Sequence, residues 1–253
     1  MSRYRRHNAL LAALAADGHL DVDEIAVRLQ VSASTIRRDL DHLSQQQLVT
    51  RTRGGAVASS VSYDLPSRYQ AAKGQSNIAR IGRAAGQLIP PGAIVGLGGG
   101  VTTTEVARYL ASAGERVTVL TNAINIAGEL AVRPHVTLML TGGIAKQHSY
   151  DLVGPFAIDT LEHLDLDVAV IGADALDPQA GPKALDGDKA QLARLMITRS
   201  RKAILVAASG KLRARAFTRI CAWDQVQILV TDTEIADEDV RQIREHGVEV
   251  LTV

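Results

Sequence analysis

The segment Val31-Ser32-Ala33-Ser34-Thr35-Ile36-Arg37-Arg38-Asp39-Leu40 gathers two adjacent guanidiniums and three hydroxyls into one helix-length stretch. Arginine is the side chain best shaped to bridge O6 and N7 of a guanine. A helix also fits the major groove with its N-terminal residues against base edges. With Ile36, Leu40 and Leu43 turned inward at helical spacing, the opposite face carries Ser34, Arg38 and Asp41, flanked by Thr35 and Arg37. Ser32 stands at the cap position, where it and the free amides after it suit a phosphate. Arg51 and Arg53 follow in a short extended stretch, within reach of the sugar-phosphate backbone or minor groove. The chemistry expected of Ser32, Ser34, Thr35, Arg37, Arg38, Arg51 and Arg53 is contact with double-stranded DNA. The competing reading is a three-helix protein-interaction module with solvated arginines. Asp39 would repel phosphate, so it is expected to orient a neighbouring arginine or to pair with Arg28.

A second set of residues lies at the carboxyl ends of apolar runs, where open α/β sheets bind ligands. The run Ala93–Leu97 leads into Gly98, Gly99 and Gly100, then Thr102 and Thr103 at the start of a helical stretch. Glycines admit close backbone approach, and amides and hydroxyls at a helix N-terminus accommodate an anion such as phosphate. The run Val136–Leu140 ends in Thr141, Gly142 and Gly143, with Lys146 following. The run Asp167–Ile171 ends at Gly172-Ala173-Asp174, a carboxylate suited to sugar hydroxyls, and Lys211 lies just past Ala203–Ala207. Ordinary tight turns, a helix cap at Asp174 and a surface lysine would explain the same residues.

The elements that must position these groups can be read along the chain. Leu10, Leu11 and Leu14 stripe a first helix that ends near Asp17-Gly18; Asp21 caps a second, with Glu24 as the reciprocal partner and Ile25, Ala26 and Leu29 inward. Only Gln30-Val31-Ser32 separates the second helix from the third, the short turn of a helix-turn-helix. Leu48–Arg51 and Arg53–Val57 form two extended pieces around a tight turn, making a winged helix-turn-helix over 1–57. Residues 58–73, with Ser59, Ser60, Ser62, Pro66 and Ser67, read as a linker. From 74 to 253, apolar strands alternate with helices near 75–88, 102–113, 123–132, 156–163, 188–200 and 235–246. The remaining strands are Val117–Leu120, Gln227–Val230 and Val248–Val253. This is an α/β domain with a mostly parallel sheet covered on both faces.

Composition agrees with two packed domains: 46% of the 253 residues are hydrophobic and the net charge is +1, which selects no partner. In residues 1–60 the arginines bunch at 3–6, 37–38 and 51–53. The single cysteine, Cys221, excludes an intrachain disulfide framework and a multi-cysteine zinc site. No run reaches the roughly 18 apolar residues of a membrane helix, and a cytoplasmic protein is expected. No metal or other cofactor is implied.

Taken together, Leu20–Ala26, Val31–Leu40 and Arg53-Gly54-Gly55-Ala56 closely resemble the DeoR/GlpR family of bacterial repressors. Its signature has a histidine where Arg53 stands here. The resemblance continues through Gly100–Thr103, Thr121-Asn122, Gly142-Gly143, Leu152–Pro155, Gly172–Asp174 and Ser209–Lys211. It implies a sensor domain related to sugar-phosphate isomerases, which typically binds a phosphorylated sugar intermediate. By this resemblance Gly100, Thr102, Thr103, Asn122, Gly142, Gly143, Lys146, Asp174 and Lys211 fall at effector-pocket positions. The chain departs from the family pattern at Gly98, Ala123, Ala175 and Ala208-Ser209-Gly210.

The leading expectation is a repressor of carbohydrate-metabolism genes, a homo-oligomer whose hold on its operator is modulated by a phosphorylated sugar. Two alternatives stay open. One is a sugar-phosphate isomerase-like enzyme with a DNA-binding appendage, with Asp174 as its base. The other is a regulator whose second domain serves oligomerisation alone.

Overall fold

A computed structural model describes residues 6, 7, 9, 10, 13, 19–45, 49–52, 54–58, 76–147 and 149–253. The chain divides into two compact units, Met1–Leu65 and Pro66–Val253. The expected linker 58–73 lies outside the described residues except for Ala58, as do Leu11, Leu14 and Arg53.

In the first unit, residues 6, 7, 9, 10 and 13 are helical, and Leu10 and Ala13 are buried. Strand β1 (His19–Asp21), helix α1 (Val22–Leu29) and helix α2 (Ala33–Gln45) follow, then β2 (Val49–Thr52) and β3 (Gly55–Ala58). Asp21 caps α1, its side chain accepting from the Asp23 and Glu24 amides at 2.8 and 3.1 Å. Among the described residues Glu24 returns no bond, so only half of the expected capping box forms. The turn between α1 and α2 closes through Gln30 in the left-handed region, with Val31 N donating to the Ala26 carbonyl at 3.0 Å. Ile25, Ala26, Ile36, Leu40 and Leu43 meet Leu10 and Val49 in one core. Burying each large side chain is worth about 1.5–3 kcal/mol.

The wing has one strand more than the hairpin expected. Its order is β1-β3-β2, antiparallel throughout. This explains the paired glycines: Gly54 turns the hairpin at φ +90°, and a Cβ on Gly55 would lie 1.8 Å from the Leu20 carbonyl oxygen of β1. A three-residue strand directly before a helix cap leaves no alternating pattern to read.

The second unit opens with α3 (Ser76–Gln87), β4 (Ile94–Leu97), α4 (Val101–Ala113), β5 (Val117–Thr121), α5 (Ile124–Leu130) and β6 (Val136–Leu140). A hairpin of β7 (Ile144–Ala145) and β8 (Leu152–Val153) precedes α6 (Pro155–Glu162) and β9 (Leu166–Gly172). Then come β10 (Ala175–Asp177), β11 (Gly181–Ala184), α7 (Gly187–Thr198), β12 (Ser200–Val206) and β13 (Thr218–Arg219). The chain finishes with β14 (Ile228–Thr231), α8 (Asp237–Glu245) and β15 (Glu249–Thr252).

Seven of these strands form one parallel sheet in the order β15-β14-β12-β9-β4-β5-β6. All seven are strands that the apolar runs predict. Along β9, Val168 and Val170 pack on the side of α3, α4 and α5, while Ala169 and Ile171 face α6, α7 and α8. Both faces are therefore covered, which is why these runs are apolar throughout. The short antiparallel pieces β7, β8, β10, β11 and β13 were not expected; at two to four residues each they are too brief for a pattern. Among the described residues no helix is long and apolar enough to cross a membrane.

Candidate functional sites: an exposed arginine face and a sheet-end cavity

The first candidate site is the outer face of α2. Ser32 Oγ accepts from the Thr35 amide at 3.2 Å and bonds the hydroxyls of Ser34 and Thr35 at 2.9 and 2.8 Å. It is the cap that the sequence predicts. Ser32, Ser34, Arg37, Arg38 and Asp41 are exposed and Thr35 is half-buried, while Ile36, Leu40 and Leu43 are buried. Arg37 and Arg38 thus share the solvent side of a helix whose other side is fixed by the core. For Arg51 the backbone alone is described, in β2, and Arg53 lies outside the described residues.

Asp39 differs from its neighbours. It is buried, and its carboxylate is held by Arg6, through Nε and through Nη2 at 3.0 Å, and by His7 Nε2 at 3.1 Å. Burial would lift its pKa, but the guanidinium and the imidazole hold it below the usual carboxylate range. The oriented arginine is Arg6, in the leading helical stretch, and neither Arg37 nor Arg38.

The second candidate site sits where the sheet order reverses. From β4 the chain proceeds outward through β5 and β6, and from β9 it proceeds the other way through β12, β14 and β15. Such a switch point opens a crevice at the strand carboxyl ends. A cavity of about 580 Å³ lies there, lined from β4–α4 by Gly99, Gly100, Val101 and Thr102, and from β9 by Gly172, Ala173 and Asp174. Lys146, Gln147, Ser149 and Asp151 of the β7–β8 hairpin, Asp186 and Lys189 at the start of α7, and Lys211 after β12 complete the polar lining.

Among the residues predicted for an effector, Gly99, Gly100, Thr102, Lys146, Asp174 and Lys211 line this one cavity. The others are placed behind or beside it. Gly98 is buried and its amide donates to the Val170 carbonyl at 3.1 Å. Thr103 is buried with Oγ1 donating to the Gly100 carbonyl, and Asn122 is buried with Nδ2 donating to the Leu152 carbonyl at 3.3 Å. Gly142 and Gly143 form the turn into β7 at φ +72° and +122°, and a Cβ on Gly143 would meet the Val153 carbonyl at 2.6 Å. These five set the shape of the walls.

Electrostatically, two of the three lysines that line the cavity are paired with carboxylates. Lys146 Nζ contacts Asp186 and lies 2.8 Å from Asp188, which links the hairpin to α7. Lys189 Nζ lies 2.8 Å from Asp174 Oδ1, and Asp174 Oδ2 accepts from the Leu185 amide at 3.0 Å. Burial would raise the Asp174 pKa; Lys189, the Leu185 amide and Lys211 together hold it below its usual value. Among the described residues no carboxylate comes within 4.0 Å of the Lys211 ammonium. Lys211 rides a 3₁₀ turn, Ser209–Arg213, anchored by buried Asp232, whose Oδ2 accepts from the Ser209 amide at 2.9 Å. The amides in the first turn of α4 have no intrahelical acceptor and carry the positive end of the helix dipole. Lys211 and the α4 N-terminus thus give one cavity two features that attract an anion.

Sequence reasoning missed Asp151, Asp186 and Lys189 as cavity residues. Asp151 is buried, and a Cβ on Gly99 would lie 1.7 Å from its Oδ1, so Gly99 is a glycine to admit this carboxylate. No local pattern marks Asp151. Asp186 had a signal: it caps α7 by accepting from the Asp188 and Lys189 amides at 2.8 and 3.2 Å.

Comparison with known proteins identifies both units. Residues 6–61 match the DeoR-like helix-turn-helix domain, and residues 75–233 match the DeoR C terminal sensor domain. The putative aga operon transcriptional repressor of Escherichia coli is 29% identical, over 98% of this chain and 93% of that protein. The HTH-type transcriptional repressor CsqR of Escherichia coli is 30% identical, over 90% and 87%. The glycerol-3-phosphate regulon repressor of Escherichia coli is 26% identical, over 99% of both chains. With a DNA-reading helix-turn-helix at one end and a switch-point cavity in the sensor at the other, this chain belongs to the DeoR family of transcriptional regulators.

Proposed function

We propose that this regulator represses carbohydrate-metabolism genes as a homo-oligomer, and that a phosphorylated small metabolite in the sensor cavity weakens its hold on the operator. The observation that carries the reading is the convergence of Lys211 and the α4 N-terminus, at Gly100 and Thr102, on one cavity. A helix N-terminus and an ammonium with no carboxylate within 4.0 Å among the described residues suit a phosphate group, and Asp151, Asp174 and Asp186 suit the hydroxyls of the remainder. Ser34, Thr35, Arg37 and Arg38 read base edges, while Ser32, Arg51 and Arg53 contact the sugar-phosphate backbone. Paired half-sites match a symmetric oligomer. Relatives named as repressors of the aga operon and the glycerol-3-phosphate regulon support the sign and the metabolic setting.

The same geometry argues against an isomerase. Asp174, the base that the isomerase reading names, is paired with Lys189 at 2.8 Å instead of standing ready to take a substrate proton.

The test is a thermal-shift panel of glycerol 3-phosphate, pentose and hexose phosphates, their unphosphorylated parents and inorganic phosphate. A compound bound to the folded state raises its apparent stability. At least one phosphorylated compound should stabilise the wild type, release it from its own upstream DNA, and do neither to Lys211→Met. No shift with any of them would leave the second unit as an oligomerisation module.

A further inference from the structure

We propose that Asp39 is a positioning residue for DNA reading: by holding Arg6 and His7 it fixes the rotation of α2 about its axis, and with it the direction in which Arg37 and Arg38 project. The proposal rests on the reading of α2 as the DNA-contacting helix.

The apolar contacts of α2 fix which side of the helix faces inward, and a directional contact refines that rotation. Ile36, Leu40 and Leu43 turn one side of the helix inward, but burial is non-directional and carries no bond that selects one exact rotation. Reading bases requires one. At a helix surface, about 5–6 Å from the axis, a rotation of about 30° carries a side-chain tip through about 3 Å. That displacement breaks a base-edge hydrogen bond.

Asp39 supplies the directional element. It lies between exposed Arg38 and buried Leu40, yet its own exposure is only 4%. Arg6 grips it at both oxygens, Nε at Oδ2 and Nη2 at Oδ1, an arrangement that adds geometric specificity as well as attraction. His7 Nε2 adds a third contact at 3.1 Å. The His7 ring also lies 5.6 Å from the ring of His42, one turn further along α2. The leading helical stretch therefore holds α2 at two successive turns. Side-chain exposures of 13% for Arg6 and 14% for His7 show that these groups are committed to the interior of the unit. A buried ion pair contributes little net stability compared with apolar residues of similar size, so its proposed value here lies in the arrangement it selects.

The experiment uses the full chain. Wild type first enriches a preferred duplex from a randomised pool. Wild type, Asp39→Asn, Arg6→Lys and the double variant are then titrated on that duplex and on a scrambled one across a salt series. Asp39→Asn should lose at least tenfold in affinity for the enriched duplex, while binding the scrambled duplex within twofold of wild type and with an unchanged salt slope. Arg6→Lys, which keeps the charge but loses the two-point grip, should narrow the preference in the same direction. The double variant should be no worse than Asp39→Asn alone. If Asp39→Asn loses helicity and binds neither duplex, Arg6→Lys carries the test. Undiminished preference in a folded variant overturns the proposal, and so does equal weakening on both duplexes. A wild type that enriches no duplex overturns the DNA-contact reading of α2, and the proposal with it.

Discussion

Lys189 Nζ and Asp174 Oδ1 meet at 2.8 Å, so the first turn of α7 is tied to the carboxyl end of β9 by a pair that is mostly withdrawn from solvent. The sign of its pH dependence follows from the depressed pKa of Asp174. A carboxylate more acidic in the folded than in the unfolded state stabilises the fold above its unfolded pKa of about 3.9. That contribution is lost as the pH falls from there through the folded-state value. Denaturant unfolding of the sensor should therefore give a midpoint that drops below about pH 4 in the wild type. Asp174→Asn should be less stable at neutral pH and flatter over that acidic window.

Arg38 and Arg51 are expected to differ in kind. Arg38→Ala should cost about 1–3 kcal/mol on the preferred duplex and relax sequence preference at one position, as loss of a bidentate base contact does. Arg51→Ala should weaken all duplexes about equally and lower the salt slope by about one counterion. Titrations on matched and mismatched duplexes at several salt concentrations separate the two. Identical behaviour would refute the assignment of roles.

Ser32 serves α2 as a cap through the Thr35 amide. Ser32→Ala should cost about 1 kcal/mol of stability in the N-terminal unit. It should also weaken DNA binding, because the same helix end is assigned to a phosphate. Ser32→Asp should recover the stability and not the affinity, since a carboxylate caps the helix but repels phosphate. Thermal melts and binding titrations on the same samples decide it.

Gly99 leaves no room for a methyl group beside Asp151, whose Oδ1 would stand 1.7 Å from the added carbon. Gly99→Ala should displace the hairpin loop that carries Asp151, Gln147 and Lys146. Its signature should be loss of any phosphometabolite-induced thermal shift, with the helix-turn-helix unaffected. A Gly99→Ala variant responding like wild type would mean that the hairpin moves freely.

The sequence made the sheet legible because burial on both faces writes itself as unbroken apolar runs such as Val168–Ile171. Helix caps were legible for a similar reason: Asp21 and Ser32 each offer a side-chain oxygen one step before an apolar-periodic stretch. The cavity lining was half legible. Gly100, Thr102, Asp174 and Lys211 follow strand ends, so position along the chain predicts position in space. Asp151 and Lys189 come from a hairpin loop and a helix face, which only tertiary folding brings to the same crevice. Asp39 shows the limit most plainly. A charge between Arg38 and Leu40 suggests a surface, and its partners Arg6 and His7 are more than thirty residues away. Of the departures from the family pattern, Ala123 and Ala175 are buried, and Gly98 pairs its amide with β9.

The pairing of β4 with β9 also has a consequence for synthesis. The Asp167 carboxylate that accepts from the Ile94 amide is 73 residues downstream, so the middle of the sheet cannot close until β9 has left the ribosome. The DNA-reading unit draws its core from residues between Leu10 and Ala56, all made well before that point. Domains fold as units in the order in which they emerge, and local contacts form fastest. Translation thus completes a DNA-binding head while its sensor is still an open chain. A nonsense codon or a proteolytic cut between the two units would release a fragment that keeps the reading helix and lacks the sensor cavity altogether.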